Sequence, residues 1–567
     1  MSRPRWSVGS PVAWAVTVVF VALMALWTVV TPAFRSSDEA QHVNSVLRLA
    51  QGGGWPAPSE AVMLPEVLRA KTLSGFSAVD GQRGNWDGGT LSPGVRPEIP
   101  ASDLGYYALF SQQQPTPPDE RLPFSELSLT EDVDLSLYPD QMTQHPPLYY
   151  AVDAAVVQVA GAEDWRFDRA LALMRWVSIV LVAPLPLLVR AAAVRLTGRR
   201  RLGDLAATLP LAIPQLASVG GSVTNDALVI GVGGVLLLLV IRVLTGDGSW
   251  RTVLGTGLAL GLGLLTKGTL LVAVPVAGLA LLVAGRRVLQ LSWAQALLRV
   301  AACWALAFVV GGWWWALNLI RYGEIQPAGW SDEFTAQFVA EGPRDSLVQF
   351  VAPFTERMTT SFWGKFGQGE LSLPGVLVTV ASLVLVGSVL VAFRQRGTRT
   401  VLAVLLTLPV LTLVLLFVEG HAFHLENGQY GGLQGRYLFG LLVPVLAAVA
   451  VGIGTFLRPG GRPEAWAPVV TLVLGLAGAA VGLWTAFTGY YVDLGWSVQA
   501  GWQRMIDWSP WPEWSVGGLT AGLAVLGLGA LVVAVVSAMR HDGEQSQPWS
   551  ADAPGATAPM MPVAPGR

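Results

Sequence analysis

Asp38 and Glu39 stand side by side in the run Ser36-Ser37-Asp38-Glu39-Ala40-Gln41-His42, directly after the first long apolar stretch of a chain that is only 13% charged. Carboxylates at a membrane boundary are costly to keep unless they bind or react with something. The residues that follow have helical spacing, with Val43, Val46, Leu47 and Ala50 on one flank and Ser36 or Ser37 as a natural N-cap. The helical period puts Asp38, Gln41, His42 and Ser45 on one solvent-side polar stripe and turns Glu39 toward the apolar flank. A carboxylate with an imidazole one turn away can act as a general base toward a hydroxyl, or the group can ligate a divalent metal. Two acids also simply suit the positive end of a helix dipole.

Cationic and aromatic residues recur at other apolar boundaries. Lys267 sits at membrane depth, where an ammonium must snorkel or pair with an anion such as a phosphate. Arg436, in Gln434-Gly435-Arg436-Tyr437, offers a planar fork suited to phosphate oxygens, and Gly435 before it would let a ligand approach the backbone. Arg321 and Lys365, each beside tryptophans (Trp313 to Trp315, and Trp363), could serve an anionic headgroup, although such tryptophans are ordinary interface anchors. His42, His145, His421 and His424 all fall in segments expected outside the membrane. His145-Pro146-Pro147-Leu148-Tyr149-Tyr150 reads as a proline-set helix start with interfacial aromatics, and Asn225-Asp226 as a tight outer turn in which the Asp could also be a cap.

These residues must be held by a membrane scaffold. The chain has 567 residues, is 52% hydrophobic and has a mean hydropathy of +0.51, with repeated runs long enough to cross a bilayer. A net charge of −2 with no basic aromatic tract sets nucleic acid aside, and the single cysteine, Cys303, excludes an intrachain disulfide. The run 12–30 is too long for a signal-peptide core and reads as a retained anchor. Eleven further spans are expected at about 168–193, 204–222, 226–245, 252–267, 268–285, 293–318, 371–393, 400–418, 436–457, 466–488 and 515–538. This all-α polytopic arrangement of about 12 helices gathers Arg3, Arg5, Arg195, Arg199 to Arg201, Arg242, Arg251, Arg286, Arg287, Arg394, Arg396, Arg399, Arg458, Arg462 and Arg540 on one side, so both termini are expected in the cytoplasm. The organisation follows: 1–31 with the first span; an extracytoplasmic loop 32–167 with interfacial helices, one of them at 146–160; spans two to seven in 168–318; an outer loop 319–370; spans eight to twelve in 371–538 with outer loops at 419–435 and 489–514; and a disordered cytoplasmic tail 539–567.

The order of motifs resembles the GT-C-type glycosyltransferases, membrane enzymes that use polyprenyl-phosphate sugars and include protein O-mannosyltransferases and aminoarabinose transferases. Ser-Asp-Glu-Ala-Gln-His, Val-Thr-Asn-Asp-Ala-Leu, Leu-Leu-Thr-Lys-Gly, Trp-Trp-Ala-Leu-Asn-Leu-Ile-Arg-Tyr-Gly, Ser-Phe-Trp-Gly-Lys-Phe-Gly and Gln-Gly-Arg-Tyr-Leu are similar to a bacterial branch of predicted membrane proteins without a defined activity, between about residues 12 and 457. The resemblance implies an inverting transfer of sugar from a polyprenyl-phosphate donor to an extracytoplasmic glycan, lipid or protein acceptor, in cell-envelope synthesis at a bacterial plasma membrane. Asp38 would be the catalytic acid-base residue, with Glu39 and His42 supporting it. Lys267, Arg436, Tyr437 and Arg321 would hold the donor phosphate. His145, Tyr149, Asn225, Asp226, Trp363, Lys365 and His424 would line the cavity. A divalent metal (Mg, Mn or Ca) on Asp38 and Glu39 is an open possibility. A transporter or flippase of lipid-linked sugars is the alternative, as is a non-catalytic envelope scaffold. A transporter would carry its polar groups near mid-membrane on broken helices, whereas here the notable charges lie toward the outer ends.

Overall fold

The computed structural model describes residues 9–75, 115–129, 133–336, 339–340, 342–492 and 497–546, with the side chains of 333 and 541–546 excepted. Long apolar helices dominate it. Among the described residues ten are long and apolar enough to cross a membrane, including Pro11–Val30, Phe167–Thr197, Asp226–Leu244, Gly268–Val288, Gly435–Gly454 and Glu513–Arg540. Two of the twelve expected spans take another form. Residues 204–222 become a pair, Arg200–Ala212 and Pro214–Gly220, bent by 74° where Pro210 and Pro214 interrupt the backbone ladder. The expected span 252–267 is the 15-residue helix Trp250–Leu264, about 22 Å long and short of a bilayer core of about 30 Å. The last helix runs on to Ser546, past the start of the expected tail, and residues 547–567 lie outside the described residues.

Side-chain contacts sort the two ends of the bundle. At one end Arg195 donates to Thr245, Arg199 reaches the carbonyls of Gly454 and Leu457 and the Glu464 carboxylate, and Arg201 bonds Ser537. Ser10 and Arg190 meet on Asp204 near that end. The basic segments therefore gather together, and the first span packs along the last helix.

The segments expected outside carry more helix than sequence suggests. The first holds the expected helices Glu39–Ala50 and Leu148–Ala160 and one more, Pro65–Leu73, while residues 76–114 lie outside the described residues. Segment 319–370 contains the helix Leu347–Trp363 and enters a two-stranded hairpin pairing Lys365 with Ser372. His421 and His424, expected on a loop, occupy the last turns of helix Arg399–Asn427, which ends at Gly428 in the left-handed conformation (φ 72°). Tyr149 and Tyr150, expected as interfacial aromatics, are fully buried, because the helix Leu148–Ala160 packs on Glu39–Ala50 and on the span after it.

Candidate active site

The acidic motif is built from the end of the first span. That helix stops at Thr31-Pro32, leaving carbonyls without helical partners, and Arg175 takes up those of Thr28, Thr31 and Pro32 at 2.7, 2.9 and 2.9 Å. The same guanidinium grips Glu39 with two parallel bonds, Nε to Oε1 at 2.8 Å and Nη2 to Oε2 at 2.7 Å. Oε1 also accepts the Val223 N–H at 3.1 Å. Glu39 is wholly buried, as its helical phase predicts.

Asp38 goes the other way. It occupies the N-cap position in the left-handed conformation (φ 59°), and its side chain makes no capping bond; the expected cap by Ser36 or Ser37 does not form. Asp is among the residues that tolerate this backbone, at a cost of about 1–2 kcal/mol. The turn carries the carboxylate off the helix end to Arg436 Nη2 at 2.8 Å and toward Gln141 Nε2 at 3.4 Å, leaving the side chain 25% exposed. On the rest of the expected solvent-side stripe Gln41 is half-buried, while His42 and Ser45 are buried. Ser45 donates to Asp140, and His42 Nδ1 lies 3.0 Å from the Tyr150 hydroxyl, because residues 138–150 fold back over that face.

Three further charged residues complete the cluster. Lys267 follows the end of helix Trp250–Leu264 in extended backbone and places Nζ 2.6 Å from Asp226 Oδ1 and 4.9 Å above the Tyr437 ring. Arg436, on the short helical stretch Gly435–Leu441, also faces Asp226 Oδ2 from Nε at 3.5 Å. Two carboxylates and two cations thus alternate in the order Asp38, Arg436, Asp226, Lys267, and the last three are nearly sealed from solvent. Gly435 serves packing here. Its N–H donates to Ser361, and a Cβ would lie 2.2 Å from the Met358 carbonyl, so helix Leu347–Trp363 occupies the approach expected for a ligand.

Two imidazoles border the cluster. Burial, followed by the nearby Lys267 charge, pushes His145 down to about 3 and holds His42 well below its ordinary value. Both are neutral at physiological pH. The turn carrying Asn225 and Asp226 is held from two sides: Glu39 accepts from Val223, and Tyr149 accepts the Thr224 N–H at 3.0 Å. Tyr149 is set in turn by Ser178 at 2.9 Å and the buried Asp153 at 3.3 Å.

Other expected site residues lie apart. Arg321 is exposed on the last turn of helix Trp313–Tyr322. Trp363 donates to Ser382 on the neighbouring span, and His424 accepts the Asp345 N–H while stacking on Tyr430. Lys365 lies on the hairpin, its backbone N–H bonded to Gln215 and its chain against Gly369. Arg175, Gln141 and Asp153 organise the site without having been assigned to it. Two of them carried a signal, since Arg175 interrupts an apolar span and Asp153 an apolar helix. A metal shared by Asp38 and Glu39 does not fit: Arg175 and Val223 take the Glu39 oxygens, and among the described residues no three His, Cys, Asp or Glu converge as a metal site.

The fold and this cluster define a multi-pass helical membrane protein with a charged site at the end remote from its basic segments. The chain belongs to the family described as predicted membrane protein DUF2142, whose model matches residues 21–447. Among solved structures, it is similar to ArnT from Cupriavidus metallidurans in the apo state, at 16% identity and a TM-score of 0.39, covering 92% of this chain and 74% of that one. The same protein bound to undecaprenyl phosphate matches at 15% identity and 0.39, covering 94% and 76%. The oligosaccharyltransferase AglB from Archaeoglobus fulgidus, in complex with an inhibitory peptide and a dolichol-phosphate, matches at 11% identity and 0.32, covering 80% and 56%. No curated protein matches the chain.

Proposed function

We propose that this protein is an inverting membrane glycosyltransferase that moves a sugar from a polyprenyl-phosphate donor to an extracytoplasmic acceptor hydroxyl on a glycan, lipid or protein of the cell envelope. The observation that carries this reading is the meeting of Asp38, Asp226, Lys267 and Arg436, brought from four distant parts of the chain to one site. Both termini lie in the cytoplasm under this reading, because the basic segments gather at the other end.

In the proposed reaction the acceptor oxygen attacks the anomeric carbon as its proton passes to Asp38. The bond from that carbon to the phosphate oxygen breaks, and its electron pair leaves on the phosphate. Arg436 and Lys267 stabilise the charge gathering there, over the Tyr437 ring. The alternating charges add a control. Arg436 is already paired with Asp38, so a donor phosphate competes for the guanidinium and frees the carboxylate oxygen to meet the acceptor hydroxyl only when donor is present. No step is routed through a metal.

Binding of undecaprenyl phosphate to the purified protein tests the phosphate role. Removing Lys267 alone would take from the buried Asp226 the closer of its two cations, so the informative variant is the charge-balanced Asp226→Asn/Lys267→Gln. Loss of one charge-assisted contact, about 1.5–3 kcal/mol, weakens binding about 10- to 100-fold. Unchanged affinity in this variant contradicts the assignment.

A further inference from the structure

The four charges balance, yet polar atoms around them do not. Asn225 is completely buried, and neither its Nδ2 nor its Oδ1 has a hydrogen-bond partner. His145 Nδ1 is buried and unpartnered as well. A buried polar atom left unsatisfied costs about 1–3 kcal/mol, and native chains tolerate such atoms mostly where something else supplies the partner. Asn225 immediately precedes Asp226, on the turn fixed by Glu39 and Tyr149, and His145 lies within electrostatic reach of Lys267, Asp226 and Arg436. The unmet groups therefore belong to the same site as the charges.

Their chemistry selects the ligand. Phosphate oxygens only accept, so they would leave the Asn225 carbonyl oxygen without a donor. A hydroxyl both donates and accepts, and a vicinal pair of hydroxyls matches an amide, one donating to Oδ1 and the other accepting from Nδ2. An imidazole kept neutral adds one donor or one acceptor of the same uncharged kind. From this we infer that Asn225, with His145 bordering the same charged cluster, forms a subsite that reads a vicinal diol on the ring of the transferred sugar. The inference rests on the proposed donor class and deepens it: the charged residues take the phosphate, and the uncharged pair takes the sugar. A site built around hydroxyl partners discriminates strongly, because a sugar lacking the hydroxyl leaves the amide buried and unpaired.

The test compares binding of undecaprenyl phosphate with binding of the same lipid phosphate carrying glucose, mannose, galactose or arabinose, using the full-length protein and its Asn225→Ala variant. We expect at least one sugar-bearing lipid to bind the unaltered protein at least about 10-fold more tightly than undecaprenyl phosphate. Asn225→Ala should remove that increment and leave undecaprenyl phosphate affinity unchanged within about twofold. Equal weakening of both ligands, or no increment with any of the four sugars, overturns the inference while leaving phosphate binding intact. Failure of undecaprenyl phosphate to bind at all would instead fall on the donor class itself and carry the inference down with it. Should Asn225→Ala fail to fold, monodeoxy forms of the tightest sugar lipid probe the subsite on the unaltered protein. Loss of about 10-fold or more on removing one of two adjacent hydroxyls supports the subsite, and indifference at every position overturns it.

Discussion

Neighbouring acids in this protein do unlike work, and the backbone at Asp38 separates them. Glu39 is a structural clamp: its two oxygens join the end of the first span, the helix Phe167–Val182 and the turn before Asp226. Glu39→Gln leaves Arg175 buried without its counter-charge, so we expect a loss of about 3–5 kcal/mol and a markedly lower apparent melting temperature in detergent. An unaltered melting temperature would deny the clamp. The histidines make a second prediction at this scale. Folding holds His145 at about 3 against 6.5 in the open chain, and His42 shifts in the same direction, so the unfolded state binds protons that the folded state refuses. The stability these two imidazoles contribute is therefore complete above about pH 6.5 and falls as the pH drops, by up to about 1.4 kcal/mol per pH unit for each. His145→Gln should make the acid-side fall of melting temperature between pH 6 and 5 shallower, and an unchanged slope would contradict the burial argument. The inward direction of Glu39 was legible from helical phase. The left-handed turn at Asp38 was not, because the guanidinium that donates to its carboxylate, Arg436, lies 398 positions along the chain.

At the scale of elements, apolar runs read well and irregular connections read poorly. Ten of the twelve expected spans are long apolar helices, since twenty or so uncharged residues leave few alternatives in a membrane. Prolines bent one of the others, and the second ended at Leu264, where the chain turns to present Lys267. The broken pair has the outline of a transporter helix, but Ile213 and the two prolines make its bend and no charged residue sits at it. Gly435 was legible as a close approach, though the sequence could not say that the approaching partner is helix Leu347–Trp363. Gly435→Ala drives a methyl group into the Met358 carbonyl and the Phe362 N–H and moves Arg436 with it. We expect a loss of about 1–3 kcal/mol in stability, with weaker undecaprenyl phosphate binding. Retention of both would show that this turn does not fix Arg436.

Across the whole molecule, charge is segregated by purpose: basic segments at one end, and a balanced four-charge cluster at the other. Cys303 is buried, so a single introduced cysteine can report sidedness without background labelling. On intact cells a membrane-impermeant maleimide should label Ser125→Cys, whereas Gln395→Cys should react only after permeabilisation; the reverse pattern would invert the proposed orientation. The motifs behind the resemblance are scattered over more than 400 positions, and the fold brings the four that carry Asp38, Asp226, Lys267 and Arg436 to one site, while those that carry Arg321 and Lys365 lie apart from it. The most direct measurement of the proposed chemistry is single-turnover transfer from a radiolabelled polyprenyl-phosphate sugar by the purified protein and by Asp38→Asn, with donor binding followed in parallel. A general base contributes about 100- to 10,000-fold, so we expect transfer by Asp38→Asn to fall at least about 100-fold while donor still binds. Full transfer by Asp38→Asn would contradict the assignment of the base, and the site would have to be read another way.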